Sequence, residues 1–134
     1  MKIYYIVAMV FLFSAFAKAQ DSTNVEVPKI YLKASQGVST PVEGTIIKLV
    51  NVIEDSRCPK GVDCIWAGNA KIAVEITNYK GEKITKEITV GSGTIEPLYA
   101  VDGLMISLKG LAPYPSIGSK IIPSDYYLRV EVSN

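Results

Sequence analysis

From Ile30 onward the chain is organised by a period of two. Ala70, Ile72, Val74 and Ile76 fall on one side of a stretch and Lys71, Ala73, Glu75 and Thr77 on the other, the pattern of a strand with one face buried. Lys83 to Val90 repeats it through Ile84, Ile88 and Val90, with Lys86 on the inner register. A lysine there predicts an edge strand, where its charge reaches water and discourages pairing with other chains. Tyr126, Leu128, Val130 and Val132 form the inner row of a closing strand, with Tyr127, Arg129 and Glu131 outside. Ile30 to Ala34, Thr94 to Ala100 and Leu104 to Leu108 are shorter candidates of the same kind.

Thr45 to Ile53 departs from this rule, being apolar at nearly every position, which predicts a strand covered on both faces or crossing the centre of the fold. Pro41 and Gly44 read as breakers, and Asn78 to Glu82 and Asp102-Gly103 as turns. Ala112 to Lys120, with Pro113, Pro115 and Gly118, reads as a long surface loop. No stretch after residue 19 has helical periodicity. Six or seven short strands separated by turn signals predict an all-β fold, an antiparallel β-sandwich of immunoglobulin-like, Greek-key type, with a partly open barrel as the alternative.

The first residues follow different rules. Lys2 precedes an uncharged run from Ile3 to Ala17, too short for a comfortable membrane span, and Ala17-Lys18-Ala19 suits a signal peptidase. Residues 1–19 are therefore expected to be a signal peptide cleaved near Ala19/Gln20. Residues 20–134 then form a single domain, secreted or periplasmic, with no transmembrane span in the mature chain. Loss of Lys2 and Lys18 leaves 12 basic against 13 acidic residues, and the lysines are spread among acids, so no nucleic-acid partner is expected. The chain has no histidine, which removes the usual base near neutral pH and the commonest transition-metal ligand. No enzyme activity, catalytic residue, metal or cofactor is expected.

Candidate chemistry is concentrated between Asp55 and Gly68, which hold both cysteines and the single tryptophan. Cys58 and Cys64, in an exported chain and close enough to bridge a loop, are expected to form a disulfide. Asp55, Arg57, Lys60 and Trp66 are the candidate binding or loop-bracing residues. In the bracing reading Arg57 pairs with Asp55, Asp63 or a loop carbonyl, Trp66 packs over the disulfide, and Gly68 turns the chain into the next strand. In the binding reading Arg57, Lys60 and Trp66 offer a cationic and aromatic surface. Calcium held by Glu54, Asp55 and Asp63 has weaker support, because the spacing lacks the alternating ligands and sharp turn of a calcium loop. Ser56 as a nucleophile lacks a base. A second feature joins Tyr114, between Pro113 and Pro115, with Tyr126 and Tyr127, as either a recognition surface or a cap on the core.

Asp55-Ser56-Arg57-Cys58-Pro59 with Val62, Cys64, Trp66 and Gly68 resembles the signature of a group of small uncharacterised bacterial exported proteins and lipoproteins, a DSRCPxxVxCxWxG segment lying between β-strands. The Tyr126 to Val132 strand is similar as well. That resemblance implies an exported β-fold and no particular reaction. Unlike the lipoprotein members, this chain has no cysteine at the cleavage point. The functional expectation is a binding or structural module for an unknown protein or small ligand, with a small-ligand or protease-inhibitor-like module as the alternative.

Overall fold

A computed structural model describes residues 29–91, 93 and 95–134. The expected signal peptide and its cleavage point lie outside the described residues. Among the described residues are eight strands: β1 Ile30–Ser35, β2 Thr40–Val42, β3 Thr45–Asp55, β4 Ala70–Thr77, β5 Lys83–Val90, β6 Glu96–Val101, β7 Leu104–Ala112 and β8 Tyr127–Ser133. A 3-10 turn, Pro123–Asp125, precedes β8. None of the helical segments among the described residues is long and apolar enough to cross a membrane.

The strands form two antiparallel sheets of four, ordered β1-β8-β7-β6 and β2-β3-β4-β5, packed as a sandwich. Inward rows from both meet in an apolar core, with Ile47, Leu49, Ile72, Val74 and Ile76 facing Leu98, Ile106, Leu108, Leu128 and Val130. Burial of these branched side chains, each contributing about 1.5–3 kcal/mol, drives closure. The sandwich and its antiparallel pairing are those the alternation predicts. Each sheet contains a meander in which consecutive strands are neighbours, and β1 joins its sheet beside β8.

Contacts also cross between the sheets at both sides. On one, Gly37 donates its backbone N–H to Leu49 O at 2.8 Å. On the other, Lys86 of edge strand β5 donates from Nζ to Leu98 O of β6 at 2.9 Å, so the inner-register lysine serves as a tie between sheets.

Two strands differ from their sequence reading for identifiable reasons. β2 sits where Pro41 and Gly44 suggested only breakers. Pro41 is tolerated because β2 is an edge strand, and Glu43-Gly44, both at positive φ, make the two-residue hairpin whose twist suits adjoining strands. β3 is not covered on both faces: Ile46, Val50 and Ile53 are exposed, while Ile47 and Leu49 are buried. Its pairing with β4 has register shifts between Leu49/Asn51 and Val52/Glu54. Each inserts one residue and reverses which parity faces inward. After the second shift Asp55 pairs with Ala70, itself fully buried, so β3 ends with a carboxylate on the core side.

Candidate functional site

Both segments that leave the sheets beyond Asp55 and Ala112 meet at one end of the sandwich, and Arg57 joins them. Its Nε and Nη2 donate to the two carboxylate oxygens of Asp55 at 2.7 and 2.6 Å. Nη1 donates to Leu111 O at 2.6 Å and Nη2 also to Pro113 O at 3.0 Å. The Tyr126 hydroxyl donates to Asp55 Oδ2 at 3.0 Å. The Tyr114 ring lies 4.9 Å from the guanidinium, within range of an attraction between the cation and the ring face. Asp55 and Arg57 side chains are 10% and 5% exposed, so this is a buried ion pair with its remaining hydrogen-bonding capacity turned to backbone carbonyls. It connects the end of β3 in one sheet with the end of β7 in the other.

Burial pushes the pKa of Asp55 upward, but the hydrogen bonds and charge of Arg57, with the Tyr126 hydroxyl, outweigh it and hold the carboxyl below its ordinary value. Burial and the adjacent Asp55 raise the Tyr126 phenol above its ordinary value. Both directions favour the state in which Asp55 is ionised and Tyr126 donates.

The loop beyond Arg57 is closed by a Cys58–Cys64 disulfide with Cα atoms 5.9 Å apart. Its two limbs are tied as well. Ser56 N–H donates to Asn69 O and Cys58 N–H to Ala67 O, both at 2.8 Å. These limbs approach so closely at Gly68, which has a φ of +68°, that a Cβ there would overlap the Ser56 carbonyl. Lys60 is linked through its backbone to the other loop, donating to Pro115 O at 2.9 Å and accepting from Ile117 N–H at 3.3 Å. Its exposed side chain reaches to 5.8 Å from the Tyr114 ring.

The sequence-selected residues thus separate into two groups. Asp55 and Arg57 are brought together in the interior, whereas Lys60 and Trp66 remain at the surface. Trp66 is 69% exposed and Ile65 fully so, and the tryptophan does not pack as a cover over the end of the sandwich. The aromatic ring against Arg57 is that of Tyr114. Glu54 and Asp63 are exposed and Asp55 is committed to Arg57, and no group of three metal-ligating side chains occurs among the described residues. The partners that sequence reasoning missed are the carbonyls of Leu111 and Pro113 and the hydroxyl of Tyr126. Tyr114 and Tyr126 stood out as a feature of their own, but nothing local joined them to Asp55 or Arg57. Comparison with family models, with curated proteins and with solved structures finds no match to this chain.

Proposed function

We propose that the protein is an exported recognition module whose disulfide-braced loop between β3 and β4, which also carries Lys60, presents Ile65 and Trp66 to a protein partner. The observation that carries this reading is the exposure of two large apolar side chains on a loop held by a disulfide and two cross-loop hydrogen bonds. Aromatic side chains on a preorganised loop lose little conformational freedom on binding and supply large contact area. Arg57 is removed from the contact surface by its burial and becomes the residue that positions the loop. The disulfide and the Ile3 to Ala17 run support export to an oxidising compartment. The likeness of Asp55 to Gly68 to the bacterial exported group points the same way.

Photo-crosslinking in the native host tests the reading. With p-benzoylphenylalanine at position 65 a discrete adduct is expected, and at position 103 none. Trp66→Ala should lower the position-65 adduct about tenfold or more, as for a central interface aromatic, while stability in urea changes by no more than about 0.5 kcal/mol. Equal labelling from both positions, or an adduct indifferent to Trp66→Ala, would refute it.

A further inference from the structure

We propose a second site, independent of the loop tip: a carboxylate-binding cleft centred on Arg129. β6 pairs with β7 only as far as Leu108, while β7 continues to Ala112 against β8. Beside that unpartnered edge of β7 lies a cleft of about 180 Å³, walled by Arg57, Gly68, Lys109, Gly110, Tyr114 and Arg129. Three of these side chains are cations, and no acidic residue is among the described residues that line it. A concave wall of one charge concentrates the opposite charge.

The cations are not equivalent. Arg57 is neutralised by Asp55 at 2.6 Å, and Lys109 by Glu131 at 3.2 Å. Arg129 has no carboxylate within 4.0 Å among the described residues. Its position follows from Gly110, the residue paired with it across the strands: a Cβ on Gly110 would stand 3.0 Å from Arg129 Nη2. The missing side chain leaves room for the guanidinium to lie over β7, along the cleft wall. One uncompensated guanidinium matches one negative charge, and its planar pair of donors matches the two oxygens of a carboxylate. A small carboxylate fits this charge balance better than a phosphate dianion.

Amide NMR titration with sodium acetate, sodium phosphate and sodium chloride at matched ionic strength tests the assignment. Acetate should move the Gly68 and Gly110 amides along a saturating curve, and chloride should leave them in place. Arg129 is exposed, so Arg129→Gln should keep the wild-type melting temperature; it should weaken acetate about tenfold or more, the loss of a charge-assisted pair. Shifts that stay linear, that spread over all lysine-bearing strands, or that saturate equally in Arg129→Gln would overturn the site. Tighter saturation by phosphate than by acetate would overturn the choice of carboxylate. Trp66→Ala should leave the acetate curve unchanged, which separates this outcome from that of the crosslinking experiment.

Discussion

The two ends of the sandwich are closed by different physics. At one end β2 turns into β3 through Glu43-Gly44 and β6 into β7 through Asp102-Gly103, all four residues at positive φ. The β4–β5 connection there is organised by Asn78, whose Oδ1 accepts from the backbone of Lys80 and Glu82. Every one of these contacts spans four residues or fewer. At the other end Arg57 reaches carbonyls 54 and 56 residues away, and Tyr126 reaches a carboxylate 71 residues away. Local turn chemistry sets the first end as each hairpin forms. The second end is tied by contacts that join one sheet to the other.

Removal of Arg57 should separate the two ends most widely. Arg57→Ala strands a buried carboxylate and two carbonyls, and unfolding in urea should show a loss of about 3–5 kcal/mol. Asn78→Ala, at an exposed turn whose groups can turn to water, should lose about 1 kcal/mol. Similar losses for the two would erase the distinction. Glycine replacement gives a smaller contrast. Gly103→Ala meets open space and carries only the penalty of positive φ, about 1–2 kcal/mol. Gly68→Ala carries the same penalty plus displacement of the Ser56 backbone, so its loss should exceed that of Gly103→Ala in the same assay.

Acid supplies the gentlest probe. Because the folded-state pKa of Asp55 is depressed, its contribution is complete above the unfolded value, near 3.8, and is lost as pH falls through the folded value. Unfolding free energy should therefore fall below about pH 4, by no more than about 1.4 kcal/mol per pH unit for this proton. Asp55→Asn should remove that part of the slope, leaving the part due to Glu131, whose carboxyl the neighbouring Lys109 ammonium holds below its ordinary value. An unchanged slope would mean that the carboxylate is not titrating against Arg57.

This contrast also explains what could be read from the chain. Ala70 to Thr77 and Leu128 to Val132 announce their buried faces because a regular strand keeps its parity. Asp102-Gly103 and Asn78 to Glu82 are legible because turn chemistry is local. β2 escaped notice because Pro41 interrupts a ladder in general but not at an edge. The register shifts in β3 are created by its pairing with β4, and no residue in Thr45 to Ile53 marks them. Asp55 and Arg57 stand in the segment where charge, turn residues and both cysteines are concentrated, yet the carbonyls that engage Arg57 carry no sequence signal. Gly110 inside a strand was the one hint of the cationic cleft, since an isolated glycine there often marks a bulge or a close approach.

The pairing of β1 with β8 has a consequence for how the chain could be rewired. Ile30 lies directly across from Val132, so the first and last strands of the domain already stand side by side. A short linker joining those ends and a cut at Asp102-Gly103 would give a circular permutant in which every strand keeps its neighbours. In that permutant the sequence separation between Asp55 and Tyr126 would run through the new junction, and the Arg57 tie would remain in place.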